Sequence, residues 1–146
     1  MKHIEQNSKS KSPCHCLNIR RASRAVTQFY EKGLEPSGLK VTQYSLLRSL
    51  DLMESVSMGV LAKTLRIDRT TLNRNMKPLM KVGLIMVNHG IDSRSRQVML
   101  TEAGKDALVN TLALWSATQA SLVEYLGEKE LDVFEKSLSK LEALGH

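Results

Sequence analysis

The side chains best suited to a chemical task are the basic and hydroxyl residues between Lys63 and Arg96. This window holds eight Lys or Arg residues and two acids, so its net charge equals the +6 of the whole chain. The rest of the sequence balances thirteen basic against thirteen acidic residues. A basic excess confined to one stretch is typical of proteins that bind nucleic acid, whereas a merely soluble basic protein spreads its charge.

Residues 69–82 of this window have the spacing of a helix with one apolar and one basic face. Leu72, Met76 and Leu79 fall together at about 100° per residue, so we expect them to pack on a core. The long donors and hydroxyls on the rest of the helix suit contacts to base edges and phosphates in a major groove. The candidate DNA contacts are Arg69, Thr70, Thr71, Asn73, Arg74, Lys77 and Lys81. A solvated basic face on an ordinary surface helix is the alternative.

The ends of this helix carry recognisable signals, and its interior carries an obstacle. Asp68 is a candidate N-cap, because its carboxylate can accept from the first free amides, and Gly83 is a natural C-terminal stop. Pro78 removes a backbone hydrogen bond and crowds the carbonyl of Arg74, at a cost of about 3 kcal/mol. We therefore expect either a kink at Pro78 or packing that compensates for it.

A charged loop follows, between two short apolar runs that we expect to pair as an antiparallel hairpin, or wing. Asp92 lies two residues before Arg94 and can hold its guanidinium in a fixed pose. An arginine at a hairpin tip suits a narrow, electronegative minor groove. Arg96 is better placed for a phosphate. The two apolar runs are residues 84–87 and 97–100.

A second group with chemical potential is Cys14-His15-Cys16 near the start of the chain. In the first hypothesis the two thiols sense oxidants, because they lie near a helix N-terminus with His15 and Arg20 close in sequence. In the second they bind a metal together with His3, His15 or His89, although a structural zinc site uses four ligands and only three are adjacent here. In the third they are ordinary small residues at a subunit contact.

Geometry bears on how these two thiols could pair. Side chains two positions apart on a helix point about 200° from each other. If Cys14 and Cys16 both belong to a helix, a disulfide between them therefore requires local unwinding. A bond to a second subunit is geometrically easier.

The elements that position the basic helix come before it. A first helix is predicted from about Pro13, and a second with Thr42 as its N-cap. Ser57 is expected to cap a short third helix that turns Val60, Leu61 and Leu65 inward, and to touch a phosphate. A turn of about four residues then leads into the basic helix, and this arrangement is helix-turn-helix geometry.

Two further helices are predicted after the hairpin. Thr101 caps a long one that ends at Gly127, and the last begins near Glu128. Its leucines and phenylalanine recur every three or four residues, a seam of the coiled-coil type; they are Leu131, Phe134, Leu138 and Leu141. Pairing these terminal helices with a second copy would give a two-fold dimer with two recognition helices. The alternative is that they close the core of a monomer.

Composition limits the other possibilities. With 146 residues, 42% hydrophobic and 25% charged, the chain fits one globular domain. It has no apolar run of membrane-spanning length and no leader, so we expect a cytoplasmic protein that does not bind membranes. No phosphate loop, metal helix or nucleophile turn is present, so we expect neither an enzyme nor a cofactor. The competing hypothesis, a small thiol oxidoreductase using Cys14 and Cys16, lacks the CxxC spacing and a preceding strand.

Three segments together resemble the MarR family of winged-helix transcriptional regulators: VTQYSLLRSL, VLAKTLRIDRTTLNRNMKPLMKVGLI and DSRSRQVMLTEAGKDAL. The resemblance covers about residues 14–144. It implies a mainly α fold with a small antiparallel hairpin: a flexible tail at 1–12, a winged helix-turn-helix at about 40–100, and dimerisation helices at about 13–35 and 101–145.

The same resemblance implies functions for particular residues. The helix at 69–82 would read the major groove of a pseudo-palindromic operator, and Arg94 would enter the minor groove. Members of the family commonly repress transcription and release DNA when a small aromatic compound, an oxidant or a metal binds near the dimer interface. A pocket between the first, second and long helices would then be lined by Cys16, Arg20 and Tyr44.

Overall fold

The structure, a computed structural model, describes residues 11–89 and 96–145. Within these ranges the chain forms six α-helices and three short strands. The helices are α1 (His15–Leu34), α2 (Val41–Met53), α3 (Met58–Leu65), α4 (Arg69–Lys81), α5 (Glu102–Leu126) and α6 (Glu128–Glu142). The strands are β1 (Ser55–Ser57), β2 (Ile85–Asn88) and β3 (Gln97–Leu100). None of the helices described is long and apolar enough to cross a membrane. The mainly α fold with an antiparallel hairpin is as predicted.

The core lies where α2 meets the two helices of the helix-turn-helix and the inner face of the sheet. Leu46, Leu47 and Leu50 of α2 are completely buried, as are Leu61 of α3 and Leu72 of α4. Each of these elements contributes one apolar stripe, because a helix or sheet face must cover its apolar side against another element. The rotation of α4 about its axis is therefore fixed by burial.

The sheet has one strand more than the sequence indicated. Its order is β1-β3-β2, and both pairings are antiparallel. The unpredicted strand β1 pairs Ser55 with Met99 and Ser57 with Gln97. Three residues are too few for an alternating pattern to be recognised in sequence, so only the partner strand reveals β1. Strand β2 also begins one residue later than predicted, at Ile85.

Three of the four predicted N-caps are confirmed. The Ser57 hydroxyl accepts from the Val60 amide at 3.2 Å, the Asp68 carboxylate from Thr71 at 2.7 Å, and the Thr101 hydroxyl from Gly104 at 3.0 Å. Each supplies an acceptor for an amide that has no partner within the helix.

The prediction for Thr42 is wrong, because the N-cap position of α2 is Lys40, two residues earlier. The Gln43 side chain accepts from the Lys40 amide at 2.9 Å, and the Glu31 carboxylate of α1 accepts from the Val41 amide at 3.3 Å. These acceptors satisfy the start of α2 in place of a threonine hydroxyl. One of them comes from a distant helix, which local sequence does not reveal.

One further expectation, for Val60, needs correction, and another is not tested. Val60 of α3 is 49% exposed instead of turned inward, because Leu61 and Ala62 occupy the core-facing side of that short helix. The proposed flexible tail at residues 1–12 falls mostly outside the described residues. Its last member, Ser12, is held to α1: its amide donates to Asn18 Oδ1 at 3.1 Å, and its carbonyl accepts from Asn18 Nδ2 at 2.8 Å.

Helices α1 and α5 cross at close range. A Cβ on Gly33 of α1 would lie 2.1 Å from the Thr118 hydroxyl oxygen of α5, and Thr118 is buried. Beside this crossing the Tyr30 hydroxyl donates to the side-chain oxygen of Gln119, and burial raises the pKa of Tyr30. The N-terminal helix is thus fixed to the long helix that leads away from the wing.

Candidate nucleic-acid interface

The recognition-helix candidate α4 has the two faces that the sequence predicted. Leu72, Met76 and Leu79 are at most 2% exposed and anchor it to the core. The opposite side is exposed and is called the basic face below; it comprises Thr70, Asn73, Arg74, Lys77 and Lys81. Thr71 is half-buried, and its main contribution is the amide that binds Asp68. The structure therefore brings five of the seven predicted α4 contacts onto one accessible surface.

The start of α4 is held by charge as well as by hydrogen bonding. The backbone hydrogen bond from Thr71 lowers the pKa of Asp68, and the positive charge of Arg74 lowers it further. An ionised carboxylate at this position also interacts favourably with the helix dipole. The first turn of α4, which carries Thr70, is thereby fixed in conformation.

Pro78 does not interrupt α4. The helix continues from Arg69 to Lys81, and the Val82 amide donates to the Pro78 carbonyl at 3.2 Å. Met76 and Leu79 are buried on either side of the proline, so packing compensates for the missing hydrogen bond. Burial on both sides of Pro78 agrees with compensation by packing, and a kink there stays a prediction.

Arg69 lies apart from the basic face. Its Nη2 atom is 3.4 Å from the position that a Cβ on Gly59 would occupy, so the side chain folds back over the first turn of α3. Ser57 caps that same turn. Arg69 and Ser57 therefore belong to a second polar surface at the start of α3, whereas the sequence analysis assigned Arg69 to the major groove with the rest of α4 and only Ser57 to a phosphate.

The wing is described only at its base. Asp92 and Arg94, the predicted minor-groove contacts, lie outside the described residues. The base pairs Asn88 with Gln97, and Arg96, the residue directly before Gln97, is exposed. Because Ser57 also pairs with Gln97 through β1, the start of α3 and the base of the wing meet at the same end of the sheet. Strand β1 makes this connection, and sequence reasoning missed it.

The thiols at the start of α1 are accessible. Cys14 and Cys16 are both free and exposed, and Arg20 is exposed one turn further along α1. Cys14 is the residue before the helix and has extended backbone angles, so the 200° separation expected of two helical residues does not apply. Its amide donates to the Ser12 hydroxyl at 3.1 Å.

Tyr44, the fourth predicted sensing residue, lies in a different environment. It is 1% exposed, and its ring stacks on Trp115 of α5 with centroids 5.7 Å apart. The Arg48 Nη1 atom donates to the Tyr44 hydroxyl at 3.0 Å, and its guanidinium carbon lies 5.0 Å from the centroid of the Trp115 ring. This cluster joins α2 to α5 and leaves Tyr44 enclosed by protein.

An open groove of about 1110 Å³ lies elsewhere, between Ser12 and the side of α1 that carries Asn18, Arg21 and Ala25. His15 lines this groove, whereas His89 is an exposed residue at the end of β2 and His3 is outside the described ranges. The part of the chain that the structure describes contains no group of three or more His, Cys, Asp or Glu side chains arranged to hold a metal.

The terminal helices leave apolar side chains uncovered. No residue of α6 is buried, and three members of its predicted seam are 40–46% exposed; they are Phe134, Leu138 and Leu141. On α1, Val26 and Phe29 are 41% and 42% exposed. Part of the apolar surface of these helices is therefore left uncovered by their own chain, which is what pairing with a second copy would require.

Solved structures of other proteins share this arrangement of helices and strands. No protein-family model and no curated protein matches the chain, but solved structures do. The transcriptional regulator MosR from M. tuberculosis, in complex with DNA, is 33% identical; the match covers 90% of this chain and 96% of that one, with a TM-score of 0.82.

Two other solved structures extend the comparison. The transcriptional repressor CouR, bound to a 23-mer DNA duplex, is 25% identical over 88% of this chain and 92% of that one, with a TM-score of 0.79. BpsR from Bordetella bronchiseptica, whose DNA binding is regulated by 6-hydroxynicotinic acid, is 22% identical over 91% and 96%, with a TM-score of 0.80, which supports the fold alone. On the identity and coverage of the match to MosR, this chain belongs to the MarR family of winged-helix transcriptional regulators.

Proposed function

We propose that the protein is a homodimeric regulator that binds a pseudo-palindromic DNA operator and represses transcription. The observation that carries this proposal is the orientation of α4. Leu72, Met76 and Leu79 fix one side of the helix in the core, so the basic face must point outward. A helix held in this way can present Asn73 and Arg74 to base edges and Lys77 to phosphates.

The remaining polar surfaces complete the proposed footprint. Ser57, Arg69 and Arg96 lie where the start of α3 meets the base of the wing and would contact the phosphate backbone. Arg94, oriented by Asp92, would enter the minor groove. Since MosR and CouR are solved with DNA, a helix in the major groove with a flanking wing is the arrangement that we expect here.

A dimer follows from the uncovered apolar side chains of α1 and α6. Single exposed apolar residues are ordinary, but a seam along a whole helix indicates an interface. A two-fold dimer would present two α4 helices to successive major grooves about 34 Å apart. Sequence-specific binding by the pair would then require a two-fold operator.

Release from DNA would come from a small ligand or from oxidation of Cys14 and Cys16. The thiols are exposed beside the open groove on α1, and BpsR is an example of regulation by a small aromatic acid. Both effects would act at the start of α1, a helix that we assign to the dimer interface. The alternative function, a thiol oxidoreductase or metal-responsive protein using the same cysteines, would need chemistry that does not involve α4.

Replacing the basic side chains tests the DNA-binding proposal. We expect Arg74→Ala and Arg94→Ala each to reduce affinity for a selected operator by about tenfold or more, because each removes a groove contact from both subunits. The dimer should remain intact by sedimentation. Wild-type affinity should also fall steeply with salt, by about 0.9 logarithmic units per neutralised phosphate for each tenfold increase in salt.

A charge-matched control distinguishes a specific contact from loss of net charge. Lys129→Ala also removes one positive charge, but at the start of α6 and outside the basic window, and should leave operator affinity unchanged. If the Arg74→Ala and Lys129→Ala variants have the same operator affinity, or if the affinity of the wild type does not depend on salt, the proposal is wrong. A disulfide-reductase assay on the purified protein tests the thiol oxidoreductase alternative directly.

A further inference from the structure

Arg66, in the turn between α3 and α4, has a backbone conformation that ordinarily favours glycine. Its φ and ψ are 55° and 46°, in the left-handed region. Its amide donates to the carbonyls of Ala62 and Lys63, and the Ile67 amide donates to Ala62 at 3.1 Å. Helices often end in this way with glycine, because a Cβ is unfavourable there. The backbone of Arg66 is therefore in a less favourable conformation for arginine than for glycine, and any compensating interaction must come from the side chain.

The side chain of Arg66 forms an ion pair with Glu142, the last residue of α6. The other two ion pairs between described residues lie within single helices, Lys105 with Glu102 and Lys136 with Asp132. The Arg66–Glu142 pair is different because it joins the helix-turn-helix to the far end of the chain.

Helix α6 has few other attachments to its own chain. It contains no buried residue and contacts the other helices mainly at its junction with α5. That junction is Gly127, whose φ of 88° suits a glycine hinge. The helix is thus joined to α5 through Gly127 at one end and held at the other by the ion pair with Arg66.

We propose that the Arg66–Glu142 pair is a strut that fixes the helix-turn-helix relative to α6. This inference rests on the proposed function, because α6 is there assigned to the dimer interface. With α6 held by the partner subunit, the strut sets the separation of the two α4 helices. It thereby determines which spacing of operator half-sites the dimer prefers.

The two side chains are 67% and 57% exposed, so solvent and salt screen the pair and it contributes little to overall stability. The pair instead affects the position of the helix-turn-helix relative to α6. The contact lies at the end of α6 farthest from Gly127, so even a weak interaction there opposes tilting of the whole helix relative to the helix-turn-helix. Loss of the strut should therefore broaden the range of half-site spacings that bind, without unfolding the protein.

Glu142→Gln removes the strut while keeping the Arg66 charge near the DNA. We would measure affinity for the operator and for versions with one base pair inserted or deleted between the half-sites. The preference of the wild type for the native spacing should fall by about two- to fivefold, the range expected for an exposed ion pair. Asp132→Asn, which breaks a pair within α6, is the matched control and should leave the preference unchanged. If the Glu142→Gln variant and the wild type show the same preference for the native half-site spacing, the proposed strut is wrong.

Arg66→Gly separates the strut from backbone stability. Glycine relieves the left-handed conformation, so the midpoint of thermal unfolding should stay the same or rise while the spacing preference weakens. Glu54→Gly is the control, because Glu54 is the other non-glycine residue with positive φ in the described chain, at 63°, and forms no recorded ion pair. It should relieve strain without changing the spacing preference. A Glu54→Gly variant that weakens the preference equally would overturn the proposal.

A distance measurement tests the strut without DNA or a dimer. Spin labels at Asn73→Cys and Ser139→Cys, in a Cys14→Ser/Cys16→Ser background diluted with unlabelled chain, report the separation of α4 and α6 within one chain. Glu142→Gln should broaden this distribution and Asp132→Asn should not. If all three distributions have the same width, the strut is absent even where DNA binding is confirmed. If wild type binds no operator, the proposed function fails while the strut is still decided by these distances.

Discussion

At the scale of single residues, the approach of α5 to the wing depends on Gly104. A Cβ at this position would lie 2.0 Å from the Leu84 carbonyl oxygen, closer than any non-bonded contact allows. The same carbonyl accepts from the Thr101 amide at 3.1 Å, and the Thr101 hydroxyl donates to the Gly83 carbonyl at 2.6 Å. The first turn of α5 is thus bound directly to the backbone that ends α4.

We therefore expect Gly104→Ala to destabilise the protein by about 1–3 kcal/mol, because the added methyl group forces the backbone of α5 away from Leu84. The free energy of unfolding in urea measures the effect. Gly59→Ala is the matched control, since its Cβ would meet only the Arg69 side chain at 3.4 Å, and it should gain about 0.5–1 kcal/mol of helix stability. Equal effects of the two substitutions would contradict this account of the α5 junction.

At the scale of elements, local signals predicted what local interactions determine. Asp68, Ser57 and Thr101 were identified as caps because a cap acts within its own turn. The face of α4 was predicted because Leu72, Met76 and Leu79 repeat at helical spacing. In both cases the residues that form the signal also make the contact.

The features that sequence missed depend on partners distant in the chain. Strand β1 exists because β3 offers it hydrogen bonds, and α2 begins at Val41 because Glu31 of α1 supplies an acceptor. Arg69 folds over α3 because Gly59 leaves space there. Tertiary contacts override local preference at each of these positions, so a single sequence without its fold does not reveal them.

The start of α1 is the element that we connect to redox release. Peroxide should reduce the operator affinity of wild type by about fivefold or more, the lower range for coupled binding sites, because the exposed thiols oxidise readily. Cys14→Ser/Cys16→Ser should be unaffected, and since it retains all seven methionines it also controls for their oxidation. Reductant should restore wild-type binding. An equal loss of affinity in both proteins would exclude thiol sensing.

At the scale of the whole molecule, charge and apolar surface are separated. The basic excess lies on α4 and the wing, whereas residues 101–146 carry four basic and eight acidic side chains. This acidic segment is unsuited to contact with DNA. The uncovered seam on α6 suits a second copy of the chain. If the basic surface binds DNA and α6 binds a partner subunit, as we propose, the affinity for each half-site depends on the dimer.

Disrupting the seam should therefore weaken DNA binding from a distance. Leu138→Glu places a charge in the centre of the seam, where the side chain is 40% exposed in a single chain, so folding should survive while the dimer dissociates. Operator affinity should fall by about 100-fold or more, because binding of the second half-site is no longer intramolecular.

Lys140→Glu introduces the same residue on the far side of α6 and should preserve both the dimer and operator binding. Sedimentation velocity gives the oligomeric state, and binding to full and half operators gives the affinities. A Leu138→Glu protein that is monomeric but binds the full operator as wild type does would show that the dimer is not needed. If the Leu138→Glu protein remains dimeric, the dimer interface does not include the centre of the α6 seam, because burying an unpaired glutamate there would cost too much free energy.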